Sequence, residues 1–250
     1  MRFTRSLTLA LTICFPATAA EARASRDHLT VPTSNGGTLV ESFGTCAEPT
    51  CPVVLILSGS KGFGTPAYDE LGWAFRKAGL NAYLVHILSV DDLNAIASAS
   101  GATARIAYYA RRLPDWVSSV REVASYLAAQ PHSGRVGVLG VSLGAQTASA
   151  ASVGRSDIDA LVLVDGGFPN SFAQPVRSLP PLLLIWGSAD KTFPLSVGRE
   201  LKQTAERLGR FVSLDVYQGG SHDFFLKAAT QSARDAHQSA ADFLKARLAQ

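Results

Sequence analysis

One segment in the middle of the chain, residues 135–146, constrains the fold more than any other part of the sequence. It begins as a short apolar run rich in valine and passes without a linker into small residues and a helix-forming segment, residues 143–153. The apolar run is too short to be a helix of its own and favours a buried strand. We therefore predict a strand, a sharp turn at Ser142 and a helix.

The turn carries the pattern Gly140-x-Ser142-x-Gly144. A chain that turns within one residue holds its serine in a strained conformation and exposes the hydroxyl, which is typical of the nucleophile of serine hydrolases. Side chains in place of the two glycines would collide with neighbouring backbone. The turn also leaves the amide of Leu143 at the start of a helix, where it can bind the oxyanion of an acyl-transfer intermediate. The structural alternative is a tight turn around a buried hydroxyl.

Apolar runs and helical patterns alternate along most of the chain. Continuous apolar runs indicate strands buried on both faces, and strand–helix alternation implies parallel strands with right-handed crossovers. The predicted fold class is α/β, with a mostly parallel twisted sheet and helices on both faces. The pattern weakens over residues 87–114, where we expect one short helix. The expected elements are a hairpin over residues 30–44, strands over 53–57, 81–86, 135–139, 159–164, 182–186 and 211–216, and helices over 68–78, 91–98, 115–130, 143–153, 194–208 and 223–249.

The amino terminus differs in composition from the rest of the chain. Arg2 and Arg5 precede an apolar run, residues 7–15, which is followed by small residues. This is the order of a secretory signal peptide. A membrane anchor is the alternative, but the run is shorter than the roughly 20 residues needed to span a bilayer. We expect cleavage of a signal peptide, residues 1–22, a single domain over residues 23–250, and export to the periplasm or out of the cell.

Export bears on the state of the cysteines. Cleavage would remove Cys14 and leave Cys46 and Cys51, which lie close together just before the first expected core strand. In an oxidising compartment these two can form a small disulfide loop. Two free buried thiols are the alternative.

Composition and charge argue against several functional classes. The chain has 250 residues, 47% of them hydrophobic, and its net charge of +3 is spread along the sequence. Without a basic stripe we expect no binding to nucleic acid or to an anionic membrane surface. The short amino-terminal run gives no reason to expect stable membrane insertion. No cluster of histidines and acids has metal-ligand spacing, so we expect neither a metal ion nor an organic cofactor.

Polar residues follow several of the expected strands, and the carboxyl ends of parallel strands share one edge of a sheet, where ligands bind. His222 follows the last strand in a glycine-rich loop and is the expected proton acceptor for Ser142. An unperturbed imidazole has a pKa of about 6.5 and can accept and return a proton near neutral pH. His86 also follows a strand and is the competing base, whereas His28 and His132 are expected to lie too far away.

Asp190 is the expected acid that orients the imidazole. It follows the strand between those of Ser142 and His222, in the chain order Ser, Asp, His known for this architecture. Asp165, at the end of the preceding strand, is the alternative, and Asp223 would point away from the histidine. A helix cap is the structural alternative for Asp190.

The glycine-rich loop after the first core strand should supply a second oxyanion donor, the backbone amide of Ser60. A simple turn is the alternative, and the loop lacks the spacing of a nucleotide-binding P-loop. We expect residues 87–114 and the loop over residues 165–181 to wall the substrate pocket, with Phe168, Phe193 and Tyr108 among its residues. The arginines within residues 105–112 could bind a substrate carboxylate, but arginines on a solvated helix face are commoner.

Together these motifs resemble the α/β-hydrolases, and within that fold the dienelactone hydrolase family. The resemblance implies hydrolysis of an ester or lactone of a small molecule through an acyl-enzyme intermediate. The namesake enzyme of the family has a cysteine nucleophile where this chain has Ser142, so the family does not imply a dienelactone substrate. The resemblance is carried by Ser58-Gly59-Ser60, residues 66–68, 109–127, the turn at Ser142, and residues 184–194 and 220–224.

Two other functions are compatible with these features. An acyltransferase or a peptidase would use the same three residues on a different substrate. A secreted binding protein of this fold would use none of them for chemistry. The complete set of Ser142, Asp190 and His222 argues against a binding protein, which has no need of all three.

Overall fold

The computed structural model describes residues 26–46, 50–131, 133–172 and 176–249. The expected signal peptide lies outside these residues, as does His132. Within the described ranges, no helix combines the length and the apolar character needed to cross a membrane.

In the described part of the chain, eight strands form one sheet. They are β1 (Asp27–Thr33), β2 (Gly36–Ser42), β3 (Cys51–Leu57), β4 (Asn81–Val85), β5 (Ser133–Val141), β6 (Ala160–Val164), β7 (Leu182–Gly187) and β8 (Val212–Tyr217). Their order in space is β1-β2-β4-β3-β5-β6-β7-β8. β2 runs antiparallel to both of its neighbours, and the other pairs are parallel. The predicted mostly parallel sheet is therefore confirmed.

Helices cover both faces of the sheet. They are α1 (Ala67–Lys77), α2 (Val90–Ala97), α3 (Ala102–Ala128), α4 (Leu143–Ser152), α5 (Leu195–Arg207) and α6 (Gln231–Leu248). Because alternate residues of a strand face opposite sides, the sheet contributes to two apolar cores. Val53 of β3 lies in the same core as Trp116 of α3. Val54 lies in the other core, with Phe75 of α1 and Leu244 of α6.

The parallel strands bring several polar residues to one edge of the sheet. β4, β6 and β7 are buried along their whole length, as their continuous apolar runs predict. Ser142 and Asp165 directly follow β5 and β6, and Asp190 and His222 lie in the loops after β7 and β8. Since the carboxyl ends of these strands share an edge, all four residues lie on the same side of the molecule.

The long helix begins earlier than the sequence predicts. We expected its start at residue 115, because the pattern weakens over residues 87–114. Instead, α3 begins at Ala102 and continues through Pro114. Its first residues are mostly exposed, so they lack the apolar periodicity that indicates a helix.

Asp92 connects α2 to this extended helix. Its carboxylate accepts hydrogen bonds from the Tyr108 hydroxyl at 2.7 Å, Arg112 Nε at 2.8 Å and Trp116 Nε1 at 3.3 Å. It also accepts the Ser89 amide at 2.9 Å and completes the cap of α2. Burial alone would raise the pKa of Asp92, but the hydrogen bonds from Arg112, Tyr108 and Ser89 outweigh it and hold that pKa well below its usual range. The two helices are therefore joined on both sides of the proline.

The last helix is shorter than predicted. We expected it over residues 223–249, but a short 3₁₀ helix (Phe224–Leu226) comes first, and α6 begins at Gln231. Phe224 and Phe225 turn into the core, and Thr230 caps α6 by accepting the Ala233 amide at 3.2 Å. The chain thus buries the two phenylalanines in a 3₁₀ turn and does not continue as one helix from residue 223.

Two local predictions near the amino-terminal end are confirmed. β1 and β2 form the expected hairpin, with the turn at residues 34–35 and Gly36 at a φ of 107°. Cys46 and Cys51 are joined by a disulfide bond next to the start of β3. Both features anchor the chain just before the parallel part of the sheet.

Replacing Asp92 with alanine should lower the free energy of unfolding by about 2–4 kcal/mol, because the donors of Tyr108, Arg112 and Trp116 lose their acceptor. Asp91 is an exposed carboxylate in the same helical turn. Asp91→Ala should change the free energy of unfolding by no more than about 0.5 kcal/mol. Urea denaturation of both variants measures the difference, and equal losses would show that the connection does not depend on Asp92.

Candidate active site

Ser142 occupies a strained turn between β5 and α4. Its φ is 54°, a conformation that residues other than glycine rarely adopt. The Ser142 amide donates to the Val164 carbonyl at 2.9 Å, and the Ser142 carbonyl accepts the Gln146 amide at 3.1 Å. The end of β6 and the first turn of α4 therefore hold the strained residue in place from both sides.

Close backbone approaches explain the glycines around this turn. A Cβ atom at Gly144 would lie 2.5 Å from the Leu57 carbonyl oxygen, and one at Gly140 would overlap the Gly144 carbonyl. A third glycine, Gly166, was not singled out from the sequence. A Cβ there would lie 2.6 Å from the Ser142 carbonyl oxygen. The loop after β6 must therefore be free of side chains where it passes the serine.

The structure brings His222 between Ser142 and Asp190. His222 Nε2 lies 2.9 Å from the Ser142 hydroxyl oxygen, and His222 Nδ1 lies 2.7 Å from Asp190 Oδ2. The loops that carry the acid and the histidine pack tightly, since a Cβ at Gly187 would overlap the Gly220 carbonyl. This contact explains why a glycine precedes Asp190 and another precedes His222 in the sequence. The three side chains form a continuous hydrogen-bonded relay.

Both carboxylate oxygens of Asp190 are engaged. Oδ1 accepts the backbone amides of Thr192 at 2.7 Å and Phe193 at 3.0 Å, which leaves Oδ2 for His222. The two amides precede α5, whose first residue is Leu195. The side chain of Asp190 has no exposed surface, whereas that of His222 is 21% exposed. The carboxylate is thus fixed by the backbone while the imidazole reaches the surface of the site.

The competing residues are placed differently. His86 Nε2 lies 2.5 Å from Glu41 Oε1, and its ring packs against Phe63. Asp223 comes directly before the short 3₁₀ helix. Asp165 is fully buried at a φ of 46°, and its Oδ1 accepts the Gly187 amide at 2.9 Å. None of the three is hydrogen-bonded to His222.

Asp165 nevertheless lies close to the relay. Among the described residues, one group of three acidic, cysteine or histidine side chains has a carboxylate oxygen or ring nitrogen from each member within 4.8 Å of the others. Its members are Asp165, Asp190 and His222. Burial raises the pKa of Asp165 to about 8, and the charges of Asp190 and Asp223 add to this against the lowering effect of the Gly187 amide. Both ring nitrogens of His222 take part in the hydrogen bonds with Ser142 and Asp190, so these side chains are arranged as a relay.

The expected oxyanion donors, Leu143 and Ser60, both border the cavity above Ser142. The loop after β3 passes alongside the serine, because a Cβ at Gly59 would lie 3.6 Å from the Ser142 Cβ. The Gly59 amide donates to the Tyr68 hydroxyl at 3.0 Å. Over the described residues, the amides of Leu143 and Ser60 have no acceptor within the protein. Both are therefore free to bind an oxygen atom of a ligand.

The cavity itself has a volume of about 1160 Å³. Ser142 and His222 line it, and residues of α2 and α3 form one of its walls. Among the described residues, the charged side chains other than histidine that line it are Lys61 and Arg105, and none that lines it is acidic. The site can therefore accommodate a small organic molecule, with positive charge on the walls.

The predicted pocket residues differ in position. Phe193 lines the cavity, and its ring lies 5.7 Å from that of His222. Tyr109 lines the cavity in place of Tyr108, because consecutive helical residues point about 100° apart and Tyr108 faces Asp92. Phe168 stacks on Phe172 and is absent from the lining.

The arginines within residues 105–112 have separate surroundings. Arg112 is paired with Asp92 and Asp115. Arg111 packs over the ring of Tyr108, and Arg105 borders the cavity. The first half of α3 belongs to the segment, residues 87–114, that was expected to wall the pocket. Its helical structure was not predicted, because its exposed residues carry no helical apolar pattern.

Comparisons with known proteins identify the fold and the family. A model of the dienelactone hydrolase family matches residues 44–248. No match was found among curated proteins. Similar solved structures include a dienelactone hydrolase from Anabaena variabilis, with 19% identity, a TM-score of 0.69 and coverage of 90% of this chain and 98% of that chain.

Two other solved structures that are similar to this chain are named as an esterase and a peptidase. An esterase from Pyrobaculum calidifontis has 15% identity, a TM-score of 0.68 and coverage of 89% of this chain and 85% of that chain. An acylaminoacyl peptidase from Pyrococcus horikoshii has 13% identity, a TM-score of 0.70 and coverage of 90% of this chain and 42% of that chain. These likenesses show the α/β-hydrolase fold, and the family match spans most of the sequence. The chain therefore belongs to the dienelactone hydrolase family.

Proposed function

We propose that this protein is a serine hydrolase that cleaves an ester or lactone of a small molecule through a Ser142–His222–Asp190 triad. The observation that carries the proposal is the relay of hydrogen bonds, 2.9 Å and 2.7 Å long, that ends at Ser142 in the wall of the cavity. A serine becomes a nucleophile when an adjacent base takes its proton and a third group orients that base.

Acylation begins when the Ser142 oxygen adds to the substrate carbonyl and its proton passes to His222 Nε2. The negative charge that forms on the carbonyl oxygen is stabilised by the amides of Leu143 and Ser60. Asp190 holds the ring in orientation and stabilises the imidazolium. The carbon–oxygen bond to the leaving group then breaks, and His222 returns the proton to the departing oxygen.

Deacylation repeats these steps with water. His222 takes a proton from a water molecule, whose oxygen adds to the acyl carbon, and collapse of the intermediate returns the proton to Ser142. The exposed side of His222 gives water access to the ring. In both half-reactions, the nucleophilic serine, the base and the oxyanion donors are groups of the protein.

Several features support a small acyl substrate. The cavity volume, about 1160 Å³, fits a small organic molecule. Ile106 and Phe193 supply apolar surface, and Lys61 and Arg105 supply positive charge. A screen of esters and lactones of graded acyl size, analysed with competing alcohols and amides, distinguishes hydrolysis of esters from acyl transfer and from peptide cleavage.

We also propose that the protein is exported. The disulfide between Cys46 and Cys51 supports this, because disulfides persist in oxidising compartments. Periplasmic or secreted protein should then lack the amino-terminal segment, which mass spectrometry of the mature chain would detect. A mature chain that begins at Met1 would contradict export by a cleaved signal.

Replacing Ser142 with alanine should reduce the hydrolysis of an activated ester by at least about 10⁴-fold, because the nucleophile is lost. Ser221→Ala is the matched control. The Ser221 hydroxyl lies next to the histidine in sequence, accepts a hydrogen bond from Lys227 Nζ and is not part of the relay. Steady-state kinetics of both variants, with circular dichroism to verify folding, measures the effect. Retained activity in Ser142→Ala would remove the serine from the mechanism.

Replacing Asp190 with asparagine should reduce kcat by about 10⁴-fold, because the amide favours the wrong imidazole tautomer while it keeps the shape of the side chain. Asp223→Asn removes a nearby charge outside the relay and should change kcat by only a few fold. If the two variants had equal rates, Asp190 would not be the orienting acid.

A further inference from the structure

One buried acid has no role in the proposed mechanism. Asp165 is fully buried at the end of β6, and its φ of 46° is one that residues other than glycine adopt at a cost of roughly 1–3 kcal/mol. Its Oδ2 is buried and has no hydrogen-bond partner among the described residues. Buried polar atoms are almost always paired, so a strained position with an unpaired oxygen indicates a function.

The surroundings of Asp165 indicate which group its free oxygen serves. Oδ1 is anchored by the Gly187 amide, at the end of the strand that leads to Asp190. One oxygen of the Asp165 carboxyl lies within 4.8 Å of the donor atoms of Asp190 and His222. The terminal torsion of an aspartate side chain is soft, so a small rotation can direct the free oxygen at the relay.

The protonation state decides what that oxygen can do. The titratable groups that face Asp165 are the carboxylates of Asp190 and Asp223 and the imidazole of His222. Burial, with these negative charges, raises the pKa of Asp165 to about 8. At neutral pH the carboxyl therefore keeps its proton, and a protonated carboxyl is a hydrogen-bond donor.

We propose that Asp165 is a positioning residue: a neutral carboxylic acid whose O–H is directed at the Asp190 carboxylate, so that a single negative charge faces the His222 imidazole. This inference rests on the triad proposed above. A donor to Asp190 withdraws part of its charge and so makes the imidazole less basic. Asp165 thereby sets the pH at which His222 becomes a competent base.

The first test compares two variants of Asp165. Asp165→Leu has nearly the same shape but no donor, and it should move the acid limb of kcat/KM to higher pH by about half a unit or more. Asp165→Asn keeps an N–H donor towards Asp190 and an oxygen for the Gly187 amide. It should restore the acid limb to within a few tenths of a unit of the wild-type value. A purely structural role would change the rate without moving the limb.

The second test needs no activity. A carboxyl whose pKa is higher in the folded state than in the unfolded chain stabilises the fold less and less as the pH rises through that interval. The Tm of the wild type, relative to that of Asp165→Asn, should therefore fall by roughly 5 °C or more between pH 5 and pH 8. Asp91→Asn, which removes an exposed carboxylate, should follow the wild type.

The outcomes separate the two proposals. If the Tm of the wild type and that of Asp165→Asn change in parallel with pH, Asp165 is not a neutral acid. If the acid limb of kcat/KM is the same in the wild type and both variants, Asp165 has no positioning role. If Asp165→Leu does not fold, a shifted limb or parallel Tm curves for Asp165→Asn still overturn the inference. If no ester is turned over while the Tm curves diverge as expected, the proposed function fails and the neutral acid stands.

Discussion

The approach of the α4 amino terminus to the end of β3 governs the geometry of the whole site. Because a Cβ at Gly144 would lie 2.5 Å from the Leu57 carbonyl oxygen, the helix can begin there only with a glycine two residues after the serine. Hydrogen bonds to Val164 and Gln146 hold Ser142 at a φ of 54°, and its side chain borders the cavity. The loops after β7 and β8 then need only to reach this point to complete the relay.

Two buried carboxyls near His222, those of Asp190 and Asp165, have unequal surroundings. Asp190 accepts two backbone amides and the imidazole, whereas Asp165 accepts a single amide. Carboxyls in such different environments can take different protonation states, one charged and one neutral. In this account Asp190 carries the charge that faces His222, and Asp165 keeps its proton. The fold thus provides one negative charge at a place where two acids meet.

Much of this arrangement could be predicted from the sequence, because its signals are local. The turn at Ser142 and the buried strands have short-range patterns, and the sheet rule then places Asp190 and His222 at the same edge. The helical structure of the first half of α3 could not be predicted, because its residues are exposed and carry no helical apolar pattern. The sequence predicts Tyr108 in the pocket, whereas Tyr109 lines it, because the orientation of that helix depends on the contacts of Asp92. The unpaired oxygen of Asp165 likewise depends on packing that no sequence pattern reports.

Reaction with a fluorophosphonate, followed by peptide mass spectrometry, tests the central claim most directly. A serine activated by the relay should add one phosphonyl group per chain, on the peptide that contains Ser142, and the Asp190→Asn variant should react far more slowly. Absence of labelling in the folded protein, or labelling of a different serine, would contradict the account.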